Sequence, residues 1–286
     1  LLHPNIVEIV RMVKEDGHKP ILNTDWLALN DALLKELKKA GLVGFTFHID
    51  SHQGRPGWKK KTELELNALR LQLAQQVASV GGLSCAFNAT VYEDTLQYVP
   101  ELVKFAEDHI DIIDVMVFIV YRAAVRDDEF QYFHDGKAID PSPLVYSIGE
   151  KKQRIDITSR EVVRKIREQF PDFAPSAYLG GTESPESLKW LYTGRYGIPG
   201  KTFGYVGPRF QELVQSTHHF VTGKYIAYAD KKTLESGRTA MLMGFIEPGT
   251  RGVASNYLRH LARHPFDAAK KVHFQTVMII QPIDIL

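Results

Sequence analysis

The sequence predicts an α/β protein built around a parallel sheet. In residues 1–122, helical patterns alternate with short apolar runs, which is typical of βα units. Each run is apolar on both of its faces, as buried parallel strands are. Polar residues follow each run, where a parallel sheet binds its ligands.

The helices and strands of this half follow one another in regular order. A first helix begins at Pro4 and ends at Gly17, and it implies at least one earlier strand. Asn30 or Asp31 caps a second helix. A third helix occupies about residues 62–80, and a fourth begins at Thr95. The predicted strands are residues 20–23, 43–49, 83–88 and 114–120.

All four predicted strands end in polar side chains. These are Asn23, Thr24 and Asp25, then Asp50, Ser51 and His52, then Asn88 and Thr90, and finally Tyr121 and Arg122. One such residue is more often a cap for loop backbone than a ligand contact. Because four consecutive strands end this way, we expect a binding site at the carboxyl edge of the sheet.

The second half has a different pattern, and we divide the chain into residues 1–125, 126–157 and 158–286. Acidic residues and prolines make the middle part a connecting region, and the last part is predicted to be mostly helical. Thr158 and Glu161 form a capping box for one helix. A second is predicted from Ser184 through Leu188 and Leu191, followed by a loop over 192–205. Further helices are predicted at 208–222, 231–244 and 256–264.

Composition excludes several classes of function. The 286 residues include 35 Lys and Arg against 34 Asp and Glu, so a nucleic-acid partner is not expected. One cysteine excludes a disulfide framework and any cluster held by this chain's cysteines alone. The longest apolar run is interrupted by Asp114 and is far shorter than the roughly 18 residues of a transmembrane segment. We expect a cytoplasmic protein, or one that lies peripherally at a membrane.

Both ends of the chain resemble interior sequence. The chain begins Leu1-Leu2-His3-Pro4 and ends in an apolar, strand-like run over 279–286, whereas natural termini are usually polar. We therefore expect an internal piece of a longer protein, although a processed chain would show the same ends.

Several of these segments resemble the radical S-adenosylmethionine (SAM) superfamily over residues 1–122. Leu1-Leu2-His3-Pro4-Asn5-Ile6 resembles the helix start that follows the family's Gly-Gly-Glu-Pro motif. Leu22-Asn23-Thr24-Asp25 and Ile49-Asp50-Ser51 stand where the family's third and fourth strands end. Ala86-Phe87-Asn88-Ala89-Thr90 stands at the end of the fifth strand.

The resemblance implies a partial (β/α)6 TIM-like barrel that lacks its first strands. It implies two cofactors, SAM and a [4Fe–4S] cluster, which together generate a 5′-deoxyadenosyl radical that abstracts hydrogen from an unactivated C–H. The family's C-x-x-x-C-x-x-C ligands lie upstream of its Gly-Gly-Glu-Pro motif and are absent here, so the chain alone is expected to be inactive. The implied SAM-binding residues are Asn23, Asp25, Asp50, Ser51, Asn88 and Arg122, with Asp50 and Ser51 at the ribose and Arg122 at the carboxylate.

Residues 44–56 and 85–95 form two longer segments of this kind. Both resemble one branch of the superfamily, the archaeal tetraether-lipid synthases (GDGT or macrocyclic archaeol synthases) and their bacterial relatives. The branch implies C–C coupling of lipid chains, auxiliary clusters beyond residue 286, and an electron donor for the cluster. The expected substrate is therefore a lipid or another small molecule.

Other interpretations of these residues and of the function remain open from the sequence. Cys85 is more simply interpreted as a buried, inert thiol. His48, Asp50 and His52 alternate and would share a strand face, but no further metal ligand is apparent, so no metal site is assigned. The alternatives are a radical SAM peptide maturase or cofactor-biosynthesis enzyme, or a cluster-free binding protein that kept a degenerate barrel.

Overall fold

The structure is a computed structural model that describes residues 3–122, 124–125, 131–140, 147–148, 154, 156–180, 188–225 and 247–282. The first part alternates helices and strands in the predicted order. In chain order the elements are α1 Ile6–Glu15, β1 Ile21–Thr24, α2 Asp31–Lys39, β2 Gly44–His48, α3 Asn67–Val80, β3 Ser84–Val91, α4 Val99–Asp108 and β4 Val115–Val120. Short 3-10 turns lie at Ser51–Gln53 and Leu96–Tyr98.

The four predicted strands are adjacent and parallel, which confirms that prediction. They lie in the order β1-β2-β3-β4. In the register of the sheet, Thr46 of β2 pairs with Asn23 of β1 and with Ala86 of β3, and Ala86 pairs with Val115 of β4. Since paired residues of parallel strands point to the same face, one set of alternate residues continues across all four strands.

Local sequence explains where the helices begin. The side chain of Asn30 accepts a hydrogen bond from the Leu33 N–H at 2.9 Å, so Asn30 rather than Asp31 caps α2. The predicted capping box of Thr158 and Glu161 is present at the start of α5, which spans Ser159–Gln169.

The rest of the chain contributes strands as well as helices. These elements are β5 Ala124–Val125, β6 Phe133–His134, β7 Lys137–Ala138, β8 Ser147–Ile148, β9 Ala177–Gly180, β10 Leu188–Ile198, β11 Lys201–Tyr205, α6 Pro208–Thr222, α7 Pro248–Arg263 and β12 His273–Ile280. A 3-10 turn at Pro265–Ala269 precedes β12. Strands β5 and β8 pair with each other, as do β6 and β7, outside the main sheet.

The central sheet has eight strands and is mostly parallel. Beyond β4 its order continues β12-β10-β11, and β9 pairs with β10. Strand β12 is parallel to β4, whereas β10 is antiparallel to β12 and β11 is antiparallel to β10. The chain is therefore a mixed α/β protein in which residues 188–205 and 273–280 extend the sheet formed by the first half.

Two predictions about the second half are wrong. The residues predicted as a helix through Leu188 and Leu191 form β10, and the predicted loop over 192–205 forms the rest of β10 and β11. Eight residues of β10, from Trp190 to Gly197, pair with β12, and this pairing overrides the local pattern.

The three helices predicted after residue 205 have different outcomes. The helix predicted at 208–222 is confirmed as α6, whereas the helix predicted at 256–264 begins earlier, at Pro248. The predicted helix at 231–244 and residues 283–286 lie outside the described residues. The three-part division of the chain stays a prediction.

The two faces of the sheet carry separate cores. Buried residues of α1 to α5 form one cluster with alternate strand residues such as Phe47, Phe87 and Phe118. On the opposite face, α6 and α7 pack against Tyr196 and Phe274 in a second cluster. The helices of the first half therefore cover one face, and the polar ends of β2 and β3 project from the other.

Candidate functional site

The carboxyl ends of β1 to β4 meet along one edge of the sheet, where the sequence predicted a site. Asp50, two residues after β2, is a buried acid at this edge, with 2% of its surface exposed. Its Oδ2 lies 3.0 Å from Nε2 of His48, and the same nitrogen lies 2.9 Å from Oγ1 of Thr90 in β3. A contact through one His48 nitrogen thus joins the ends of two neighbouring strands.

The environment of Asp50 favours its charged form. Burial raises the pKa of this carboxyl, but the hydrogen bond and charge of His48 and the hydrogen bonds of Thr90 outweigh it, so the net pKa lies below the ordinary value. Even so, Oδ2 of Asp50 has no well-oriented hydrogen-bond partner within the described part of the chain. One ring N–H cannot point at both Thr90 and Asp50, which leaves this buried oxygen able to accept a further hydrogen bond.

A buried ion pair fixes the turn that follows Asp50. The Ser51 N–H donates to Oε2 of Glu63 at 2.9 Å, and the other carboxylate oxygen of Glu63 accepts from Arg70 of α3. Arg70 is fully buried and also donates to the Ile49 carbonyl at 2.8 Å. Oδ1 of Asp50 accepts the His52 N–H at 3.1 Å. Helix α3 therefore holds both the end of β2 and the turn beyond it.

Arg55 connects the ends of β1 and β2. Its Nη1 lies 3.9 Å from Oδ2 of Asp25, and its guanidinium lies 5.5 Å from the centre of the Trp26 ring. A further Arg55 nitrogen lies 3.5 Å from the His48 carbonyl, at the limit of a hydrogen bond. Asp25 is thereby placed beside the β2 end.

The ends of β2, β3 and β4 are joined by stacked rings. His52 lies 3.1 Å from both carboxylate oxygens of Asp94 and stacks on Tyr92, with ring centres 3.9 Å apart. Tyr92 in turn contacts Tyr121 at 4.8 Å. Burial, followed by the charge of Asp50, raises the pKa of Tyr92, so its hydroxyl stays protonated. Contacts of side chains with one another and with the backbone therefore run from Asp25 to Tyr121 across all four strand ends.

The predicted site residues outside these contacts differ in placement. Asn88 is 8% exposed, pairs with His48 in the sheet register, and makes no side-chain hydrogen bond within the described residues. Arg122 turns back and donates to the Tyr121 carbonyl at 2.9 Å. Asn23 is exposed, and the contact of Ser51 with Glu63 is made by its backbone rather than its hydroxyl. Asp25, Asp50 and Arg122 are thus tied into the edge, whereas Asn23 is not.

Sequence reasoning left out part of this edge. His48 and Thr90 were noted but not assigned to the site, and Tyr92, Glu63 and Arg70 were missed. Alternation gave a signal for His48 and Thr90, since each lies two residues from a predicted site residue on the same strand path. No sequence signal distinguished Arg70 from an ordinary surface arginine of a helix.

The histidines and the cysteine have separate roles in packing. His48 and His52 contact different carboxylates, Asp50 and Asp94, and no cluster of three or more His, Cys, Asp or Glu side chains suited to a metal occurs in the described ranges. Cys85 is 1% exposed and lies in the core on β3, which confirms its interpretation as buried.

A cleft of about 670 Å³ lies away from this edge and is lined by none of the predicted site residues. It lies beside the C-termini of α4 and α5, the helix ends that lead back toward the start of a strand. We take the carboxyl edge as the candidate site because its buried polar groups converge from four strands.

The fold and this edge define the class of the protein: a mixed α/β protein with a polar carboxyl edge on its parallel strands. Within the residues described, no helix has both the length and the apolar character to cross a bilayer. In comparisons with known proteins, no family model matches the chain and no curated protein is significantly similar to it.

Proposed function

We propose that this chain is the SAM-binding core of a radical SAM enzyme, with its parallel strands forming part of a (β/α)6 barrel. The observation that carries the proposal is the polar edge formed by four consecutive parallel strands, with Asp50 buried at its centre. A parallel α/β sheet binds ligands at this edge. Three of the segments that resemble the superfamily lie at the ends of β1, β2 and β3.

The residues at the edge suit the polar groups of SAM. Oδ2 of Asp50 can accept from a ribose hydroxyl, because its pKa is lowered and it lacks a well-oriented donor among the described residues. The Asn88 amide can both donate and accept, and it makes no side-chain hydrogen bond there. Ser51 and Asp25 lie at the ends of β2 and β1, Asn23 belongs to the proposed site by the resemblance alone, and Arg122 would supply a guanidinium for the methionine carboxylate.

The chain's own residues do not suit an iron–sulfur cluster. Such a cluster needs several thiolates, and Cys85 is both the single cysteine of the sequence and buried in the core. SAM bound at a reduced cluster would supply a 5′-deoxyadenosyl radical for hydrogen abstraction, and the ligands of that cluster would have to be residues other than these.

The chain's contribution is to bind and to orient. The Glu63–Arg70 pair fixes the Ser51 turn, and the His48 ring lies 3.0 Å from the Asp50 carboxylate at the strand end. Coupling of lipid chains, auxiliary clusters and an external electron donor remain proposals that rest on the branch resemblance. A peptide-maturing or cofactor-forming enzyme would use the same edge, and a cluster-free binding protein would bind its ligand there without radical chemistry.

A titration of SAM into the anaerobic full-length protein tests the binding site. Asn88→Ala should weaken SAM binding by about 1–3 kcal/mol, the penalty for losing a buried polar partner. Asp50→Asn and Arg122→Ala should weaken it as well.

Thr276→Val is the matched control for these variants. Thr276 is fully buried on β12, and its hydroxyl has no hydrogen-bond partner in the described chain, so binding should not change. Unchanged affinity in Asn88→Ala, Asp50→Asn and Arg122→Ala alike would leave these residues as loop caps and remove the site.

A further inference from the structure

The cleft of about 670 Å³ is lined mainly by three parts of the chain. Strand β11 forms one wall, the last two turns of α7 form the second, and the end of α5 forms the third. The α7 residues on this wall are Asn256, Arg259, His260 and Arg263, with His264 directly after the helix. Their spacing places them on one helix face.

Basic side chains are concentrated around this cleft. Lys201 of β11 joins Arg259 and Arg263 of α7, and His260 and His264 lie between and beyond the two arginines. Arg259 donates to Asn256 at 3.0 Å, but neither Lys201 nor Arg263 makes an ion pair with any described residue. Like charges four residues apart destabilise a helix slightly. The repulsion between Arg259 and Arg263 therefore lowers the stability of α7, and a bound anion would offset it.

The acidic residues of the cleft do not cancel this charge. Glu107 accepts from the Thr202 hydroxyl at 2.5 Å and lies 3.7 Å from the fully buried Arg195. Asp172 is exposed at the rim. His260 already has an acidic partner, because its Nε2 lies 2.7 Å from Asp267 outside the cleft.

The helix ends around the cleft oppose the positive charge of its basic residues. Helices α4, α5 and α7 end beside the cleft, and a helix C-terminus carries about half a negative charge. Arg263 in the last turn of α7 offsets this charge locally, as cations at helix ends do. That role does not explain Lys201, which lies in a strand and faces the cleft from the opposite wall.

We propose that this cleft binds a small phosphate-bearing anion. Two arginines and one lysine line it, and guanidinium matches phosphate oxygens in geometry as well as charge. Phe170 and Tyr205 add aromatic surface to the walls, which would favour an organic phosphate ester over the inorganic ion. The site is separate from the carboxyl edge and does not depend on the proposed enzymatic function.

Calorimetric titration of the full chain with inorganic phosphate and with phenyl phosphate, at constant ionic strength, tests this site. Saturable binding of either ligand is expected, and tighter binding of phenyl phosphate would identify an organic ester as the preferred form. The double variant Arg259→Gln/Arg263→Gln should weaken binding about tenfold or more. Lys201→Gln, on a different element, should weaken it in the same direction.

The matched control is Arg251→Gln, which removes the same charge from α7 at an exposed position outside the cleft. It should leave affinity unchanged, and circular dichroism should show all variants folded. The proposal is overturned if the wild-type chain binds neither ligand saturably. It is overturned equally if Lys201→Gln and the double variant bind as tightly as Arg251→Gln, because the cations would then serve only the helix ends.

Discussion

The buried pair of Arg70 and Glu63 gives the sharpest stability prediction, and we consider the substitution Arg70→Met. Arg70 is fully buried, and it donates to the Glu63 carbonyl at 3.0 Å, to Asn67 at 2.8 Å and to the Ile49 carbonyl at 2.8 Å, besides its ion pair with the Glu63 carboxylate. Methionine fills similar space but leaves a buried carboxylate and the Ile49 carbonyl without this donor. Removing one partner of a buried pair costs about 3–5 kcal/mol, and we expect Arg70→Met to lose that much.

Urea denaturation followed by circular dichroism measures this loss of unfolding free energy. Glu63→Gln and the double variant complete a mutant cycle, and we expect a coupling of about 0.5–3 kcal/mol because the two side chains are in contact. The matched control is Arg11→Met, which breaks the exposed pair of Arg11 and Glu8 and should cost about 1 kcal/mol or less. A loss in Arg70→Met no larger than in Arg11→Met would refute the reasoning.

Three further predictions follow from the edge, the capping box and the cysteine content. The lowered pKa of Asp50 means that its charged form stabilises the fold above its ordinary pKa of 3.8, and this contribution is lost as the pH falls through the lower pKa of the folded state. The difference in Tm between wild type and Asp50→Asn should therefore be largest near neutral pH and shrink as the pH falls below 3.8. A difference in Tm that is constant with pH would contradict this prediction. Thr158→Ala removes the α5 cap and should lower the free energy of unfolding, measured by urea denaturation, by about 1 kcal/mol. Ser79→Ala, on the exposed face of α3, should lower it by less. Equal losses of unfolding free energy in the two variants would count against the cap. Reconstituted with iron and sulfide, the isolated chain should bind no stoichiometric [4Fe–4S] cluster, since it has one cysteine; a cubane signal in electron paramagnetic resonance spectra would disprove this.

The first half of the fold could be predicted because its local and tertiary signals agree. Each of β1 to β4 is a short apolar run bounded by a helix end or turn, and the helices between them have clear starts, such as Asn30. The parallel order then follows from the βα alternation. Strand β10 could not be predicted in this way. Gly194, Arg195 and Gly197 interrupt its apolar pattern, and its extended form depends on pairing with β12.

Arg195 shows why that strand is hidden in the sequence. A charged residue in mid-strand suggests an exposed position, yet Arg195 is fully buried and donates to Gln275 of β12 and to the Val103 carbonyl at 3.0 Å. Gly194 is equally dependent on its neighbours, because a Cβ there would lie 2.5 Å from the Phe274 ring. Both requirements come from strands and helices more than 70 residues away in the chain.

The candidate site likewise contains residues that the sequence predicts and residues whose positions depend on distant contacts. Residues at strand ends, such as Asp50 and Asn88, follow from the order of elements alone. The Glu63–Arg70 pair behind them does not follow from that order. Arg70 contacts Glu63 and the Ile49 carbonyl only when α3 packs on the sheet. Sequence could therefore indicate which residues lie at the carboxyl edge of the sheet but not which residues hold them there.

The central claim is tested most directly by assaying the full-length protein for cleavage of SAM. The anaerobic protein, with its cluster loading checked by absorbance, is incubated with SAM and dithionite, and 5′-deoxyadenosine is quantified by liquid chromatography with mass spectrometry. We predict that the wild-type protein forms 5′-deoxyadenosine, that Asn88→Ala forms less at subsaturating SAM, and that Thr276→Val matches wild type. No 5′-deoxyadenosine from a folded, cluster-loaded protein, or a full-length protein that binds no cluster at all, would contradict the proposal.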